Sequence, residues 1–148
     1  MSYGTKKNLK LIGENKEDLS VISAYVQDSI VNVGDIVFLK KNRIFLMLIN
    51  RFMWEKVEEK AKQNKRIRCA IKFEGILKVK SKKINQKNKN KRLECLAIKS
   101  NQLLGKNYEI NFFFAGGAAI TLITETIEVA MHDLGAPWNV KHAPEHKI

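Results

Sequence analysis

RIRCAIKFEGILKVKSK, residues 66–82, decides the fold. It has two readings. In the first, Glu74-Gly75 is a two-residue hairpin turn. Ile71 then sits opposite Lys78, Cys69 opposite Lys80 and Ile67 opposite Lys82, so each face mixes apolar with charged. A half-buried sheet does not tolerate that register. In the second, the stretch runs straight through. Ile67, Cys69, Ile71, Phe73, Gly75, Leu77, Val79 and Ser81 then share one face. Arg66, Arg68, Ala70, Lys72, Glu74, Ile76, Lys78, Lys80 and Lys82 share the other. That division is nearly clean, and it predicts one long strand bent at Gly75, since a glycine inside a strand often marks a bend. The inner face is core and the outer face is basic.

Working outward, LKLI (9–12) reads as a short strand and KEDLSVISAYVQDSIV (16–31) as a helix. Leu19, Ile22, Val26 and Ile30 make its apolar stripe, with Tyr25 at the edge. Asn15 is placed to cap it, and Glu17 and Asp18 suit the positive end of the helix dipole. Gly34 closes the segment. DIVFLKKNRIFLMLIN (35–50) predicts a hairpin turning at Lys41-Asn42. IFLMLI within it is apolar on both faces, which predicts a central strand covered on both sides. RFMWEKVEEKAKQ (51–63) fits a short amphipathic helix.

On the C-terminal side, INQKNKNK (84–91) reads as a polar, mobile loop and RLECLAIKS (92–100) as a strand. YEINFFFAGGAAITLITE (108–125) predicts a hairpin turning at Gly116-Gly117. Ile120, Leu122 and Thr124 share a face, but in IEVAMHD the apolar set moves to Ile127, Val129 and Met131. That change of parity implies a bulge near Glu125-Thr126. The expected class is α+β: a mostly antiparallel sheet, strongly bent or split into two packed sheets, with one clear helix near the N-terminus and a second short one. The expected organisation is a single domain over 1–148, with a flexible 1–8 and a C-terminal strap over 134–148.

Composition bounds the function. An apolar share of 45% suits a globular chain. No apolar run approaches the ~18 residues a membrane span needs, and MSYGTKKN lacks the apolar core of a signal peptide. Cys69 and Cys95 are far apart and outside any C-x-x-C spacing. These features predict a cytoplasmic protein with no membrane role. The net charge of +12 is local: residues 78–92 carry eight basic residues and no acid, while the rest of the chain holds 19 basic and 15 acidic residues. Its 22 Lys against 5 Arg also follow A/T-rich codons, and Arg rather than Lys is the preferred bidentate reader of bases and phosphates.

The sequence contains no G-x-S-x-G, H-E-x-x-H or P-loop. No catalytic residue and no cofactor is implied, which leans the reading away from an enzyme. Asp28, Asp35, Asn50, Arg51 and Glu55 are polar groups near the helix end and Trp54, with caps and salt bridges as their ordinary use. Cys69 and Cys95 fall at inward strand positions, where thiols are buried and inert. The three histidines, His132, His142 and His146, cluster at the C-terminus, where Glu145 and Asp133 could join them at a metal. The ordinary alternative is a chain end docked through Pro137 and Trp138. Pro144 between His142 and His146 disfavours their sharing a helical face.

LKLI, EDLSVISAYVQDSIVNVGD, LINRFMWE, FAGGAAITL and DLGAPWNVKHAPEH, taken in this order, resemble the bacterial family catalogued as domain of unknown function 2948. The resemblance spans nearly the whole chain and implies a small bacterial protein folded as one domain. It carries no activity. It sets an arginine-rich stretch where this chain has lysines at 78–83, and a more glycine-rich turn where this chain has AGGA. It also implies that the C-terminal stretch is ordered.

These features lead to a non-enzymatic binding or accessory module. Its expected surface joins the outer strand face, Arg66, Arg68, Lys72, Lys78, Lys80 and Lys82, to Asp133, Trp138, His142 and His146. A protein partner is favoured, with nucleic acid as an alternative. That alternative rests on charge alone, since no aromatic ring interleaves the basic face. The other alternative is a metal-binding protein or enzyme using His132, His142, Glu145 and His146.

Overall fold

The computed structural model describes residues 8–57 and 63–145. In chain order the elements are β1 (Lys10–Gly13), α1 (Lys16–Val26), β2 (Ser29–Asn32), β3 (Ile36–Leu39), β4 (Ile44–Phe52), α2 (Trp54–Val57) and β5 (Lys65–Phe73). After these come β6 (Ile76–Lys82), β7 (Arg92–Gln102), β8 (Tyr108–Phe114), β9 (Ala119–Thr124) and β10 (Val129–Asn139). The strands form one ten-stranded antiparallel sheet in the order β1-β10-β5-β4-β2-β7-β8-β9-β6, with β3 attached to β4. The fold is α+β, as expected.

The chain does not fold back at Glu74-Gly75: β5 pairs with β4 and β10, and β6 pairs with β9. The 66–82 stretch is nonetheless two strands rather than one. Gly75 is left-handed (φ 73). The β6–β9 register also slips between Ile76 and Lys78. The two irregularities turn Ile76, expected on the basic face, into the core, where it is 1% exposed. Past the slip, Val79 and Ser81 pair with the buried Leu122 and Ile120, so the inner face is restored.

The bulge expected near Glu125-Thr126 is a second corner at the same level. The Thr124 hydroxyl lies 3.0 Å from the Gly75 carbonyl and 2.6 Å from that of Thr126, and the Glu74 N–H donates to Glu128 O. The strand pairs β5/β10 and β6/β9 are thus one antiparallel ribbon, bent at one corner. That corner links distant positions along the sheet, so the sheet curls around its core. Phe45, Phe73 and Phe112 meet there, with centroids 5.4–6.4 Å apart.

The helix is shorter than its pattern. Asn15 caps it, its Oδ1 accepting from the Asp18 N–H at 2.8 Å, and Leu19, Ile22 and Val26 are buried. It ends before Asp28, a left-handed residue (φ 63) whose N–H donates to Cys95 O. Ser29–Asn32 then pairs with β7. The β-branched run Ile30-Val31 satisfies its main chain better as a strand, so pairing overrides the helical period. The Ser23 side chain of α1 accepts from the Ile98 N–H at 2.9 Å, just past the register slip in the β7–β8 pairing.

The β3–β4 hairpin turns through Lys40–Asn42 into a left-handed Arg43. β4 is central, but Phe45, Met47 and Ile49 are buried while Leu48 is 37% exposed, so it is not covered on both faces. Arg51 and Phe52, expected to start a helix, extend β4 instead; α2 begins at Trp54, and residues 58–62 lie outside the described part. The β8–β9 hairpin turns at Gly116-Gly117, both with φ 81. The C-terminal strap is largely strand: β10 continues to Asn139 beside β5, with an irregularity between Leu134 and Trp138.

Candidate binding surface

The basic residues of the ribbon divide at the corner. On β5 they are committed to the fold. Arg66 Nη1 donates to the carbonyls of Asp28 (3.1 Å) and Asn50 (3.0 Å), and its guanidinium lies 5.7 Å from the Phe52 ring centroid. Burial pushes the Arg66 guanidinium below its ordinary pKa. Arg68 donates to Asn50 Oδ1 and to Asp35 Oδ2, both at 3.2 Å. Lys72 pairs with Glu74 at 3.4 Å. Arg68 also lines a polar depression of about 290 Å³ with Asn32, Asn50, Asn90 and Arg92.

On β6 the arrangement is different. Lys78, Lys80 and Lys82 are exposed and sit beside Ile123, Thr121 and Ala119 of β9, none of them acidic. β6 ends the sheet path, so its second edge has no strand partner among the described residues. That edge and β3 flank a cleft of about 150 Å³. Ile36 and Phe38 form one wall, Val79 and Ile84 the other, and Phe45 and Ile120 reach it from the core. Ser81, Gln86 and Lys89 form the polar part of its lining. Hydrogen bonds bound the cleft: the Ile76 N–H donates to Arg43 O at 2.9 Å, and the Gly34 and Val33 N–H groups donate to the carbonyls of Lys89 and Lys91. The 84–91 loop is therefore tied to the body through its backbone.

The C-terminal residues do not join the β6 lysines, because β10 pairs with β5. Trp138 is opposite Arg66 and 40% exposed, and His142 is exposed beyond the strand end. Asp133, expected at the surface, is buried at 2% exposure. It alternates inward from His132 and holds Arg51, which is fully buried: Nε donates to Oδ1 at 2.8 Å and Nη2 to Oδ2 at 2.6 Å. Glu55 takes the other edge of the guanidinium at 2.9 and 2.7 Å. Burial alone would lower the Arg51 pKa, but the hydrogen bonds to Asp133 and Glu55 hold it above its ordinary value. The Tyr25 ring stacks 5.4 Å away, and Trp54 Nε1 donates to Gln27 O.

The metal candidates are spread out. His132 lies within β10 opposite Lys10 and Ala70. Alongside β5 the chain advances from the Ala70 level to the Lys65 level, roughly 17 Å, before it reaches His142 and Glu145. Among the described residues no three His, Cys, Asp or Glu side chains gather to hold a metal, and His146 lies outside them. Cys69 and Cys95 are buried as expected. Burial pushes the Cys69 thiol well up, and burial with the Asp28 charge pushes Cys95 up to about 12.

Sequence reasoning missed the second wall of the cleft. Ile36 and Phe38 read as hairpin residues, and nothing local says that β3 has no second strand neighbour among the described residues. The acid-free run on the other wall was visible.

Residues 9–146 match the family model described as a protein of unknown function, DUF2948, and the chain belongs to that family. Neither a curated protein nor a solved structure matches it. No helix among the described residues is long and apolar enough to cross a membrane.

Proposed function

We propose that this protein is a non-enzymatic binding module for an acidic protein partner, with the outer face of β6 as its working surface. The observation that carries this reading is the row Lys78, Lys80, Lys82: exposed, at the end of the sheet, and beside no acid on β9. Three cations held at strand spacing above a fixed sheet lower the free energy of a nearby polyanion, and salt screens that attraction. Two further facts support the reading. The β5 cations are already neutralised or hydrogen-bonded within the fold, so their charge is less available to a partner. Both thiols are buried and far from their reactive thiolate form.

Fluorescence anisotropy with a labelled glutamate-rich peptide, single-stranded RNA and duplex DNA tests it across a salt series. The peptide should bind at low salt, weaken steeply as salt rises, and be lost in the triple variant Lys78→Glu, Lys80→Glu, Lys82→Glu. Failure of the peptide to bind at low salt would remove the reading. Tighter binding of RNA or DNA, lost in the same variant, would replace the partner class.

A further inference from the structure

The cleft beside β6 deepens the reading of this protein as a binding module for an acidic partner, and its assignment rests on that reading. We infer that the cleft between β3 and β6 is an anchor pocket, which takes one large apolar side chain from an acidic segment of the partner protein. Size comes first. A space of about 150 Å³ holds a group the size of benzene, and the walls of this one are apolar at Ile36, Phe38, Val79 and Ile84 with a polar rim at Ser81, Gln86 and Lys89. Sites for drug-sized ligands and cofactors run from roughly 300 Å³ upward. The cleft therefore fits one leucine- or phenylalanine-sized side chain and is too small for a cofactor. The hydrogen bonds from Ile76 to Arg43 and from Gly34 and Val33 to the 84–91 loop limit its widening.

Charge decides what carries that side chain. The wall segments Ile36–Ile44 and Ile76–Arg92 contain no acidic residue. The first brings Lys40 and Lys41, while Arg43 pairs with Glu125 at 3.6 Å. The second brings Lys78, Lys80 and Lys82 on the outward face of β6, and Lys83, Lys87, Lys89 and Lys91 in the stretch that follows it. Lys89 lines the cleft itself, and the acid-free segments on either side add lysines next to it, so the cleft complements an apolar residue flanked by Asp or Glu. Beyond Ile76, whose N–H is taken by Arg43 O, the edge of β6 has no strand partner among the described residues and can meet such a segment in extended form, since exposed strand edges accept peptides through main-chain hydrogen bonds.

The test compares a glutamate-rich peptide with one central phenylalanine, its central-serine counterpart, and a glycine–serine peptide with the same phenylalanine. The acidic phenylalanine peptide should bind at least about tenfold tighter than the serine one, the effect of burying one aromatic side chain. Raising salt should weaken both acidic peptides and leave their ratio intact. Ser81→Phe starts from an exposed position lining the cleft, so the chain should fold with an unchanged melting temperature. It should bring the phenylalanine peptide down to the serine level without affecting the serine peptide.

Equal affinity of the two acidic peptides would overturn the anchor pocket and leave the charge-based reading standing. Absence of binding by either at low salt would end both. Equal binding of the uncharged phenylalanine peptide would overturn the acidic partner. A wild-type dimer in light scattering that Ser81→Phe dissociates would make a second copy of this chain the occupant and overturn the proposal.

Discussion

β5 and β6 are consecutive halves of one alternating ribbon, and their cations do opposite things. Arg66 and Arg68 of β5 tie distant segments together, reaching two backbone carbonyls and an aspartate, while Lys72 pairs locally with Glu74 at the surface. The cations of β6 face solvent at the end of the sheet. The difference arises from neighbours rather than from the strands themselves. β5 lies between β4 and β10, with Asp28, Asn50 and Asp35 within reach, whereas among the described strands β6 pairs with β9 alone, beside Ile123, Thr121 and Ala119. A basic strand face thus becomes structural where acceptors surround it and stays available where they do not.

The largest way to sharpen the contrast lies under the β5 half. Arg51 is fully buried between Asp133 and Glu55, and removing one partner of a buried ion pair leaves the others uncompensated. Arg51→Ala should cost about 3–5 kcal/mol in urea unfolding. A loss under about 1 kcal/mol would mean that water reaches this cluster, against the full burial of the guanidinium. The cluster also sets an acid limb. Burial works to raise the Glu55 pKa, but hydrogen bonding from Arg51 wins and holds it below its ordinary 4.5. A depressed carboxylate stabilises the fold above its unfolded-state pKa and loses that contribution as pH falls through the folded value. Unfolding midpoints should therefore drop below about pH 4.5. Glu55→Gln should flatten part of that drop, and an unchanged acid limb would contradict the assignment.

The next effect belongs to the β5 cations themselves. Arg66→Ala leaves the carbonyls of Asp28 and Asn50 without this donor and should cost about 1–3 kcal/mol. Peptide binding should change little, because Arg66 is on the other side of the corner. A variant as stable as the parent but deficient in binding would invert the comparison.

Gly75 joins the two halves. It sits at φ 73, and a Cβ there would meet Thr124 Oγ1 only at an ordinary 3.5 Å. Strain rather than crowding sets the cost, so Gly75→Ala should lose about 1–2 kcal/mol, the left-handed penalty for an L-residue. Thermal denaturation measures it, and a neutral or stabilising result would show that the corner does not need this conformation.

Much of the ribbon was legible because alternation is a local signal. Ile67, Cys69, Ile71 and Phe73 went inward as their parity required, and the mixed faces of the hairpin register excluded it in advance. The corner position was legible in Gly75, but the direction Ile76 takes was not. Strict alternation assumes that no residue is skipped, and the left-handed glycine with the register slip breaks that assumption. The helix was overextended through Val31 because Ile30 continues a period-3.6 stripe. What ends the helix is the Cys95 carbonyl, supplied from far along the chain. The same limit hid the surface. Asp133 and Trp138 were expected on one surface with the lysines, yet pairing sends β10 to β5 and leaves β6 elsewhere. The partners of each charge come from segments tens of residues away, so residue type marked the cations without revealing which are bound.

The smallest stability change carries the sharpest test of the comparison. Lys80 is exposed, beside Thr121, and no ion pair is formed by it among the described residues. Lys80→Ala should alter unfolding by no more than about 0.5 kcal/mol. Arg68→Ala, at the matched position of an outward cation on β5, removes two hydrogen bonds and should cost more. Measured side by side, the two variants should fall in opposite corners. Lys80→Ala should keep its stability and weaken binding to the acidic peptide, and Arg68→Ala should keep its binding and lose stability. If both lose stability equally, the β6 lysines are structural too, and the strand has no charge to spare for a partner.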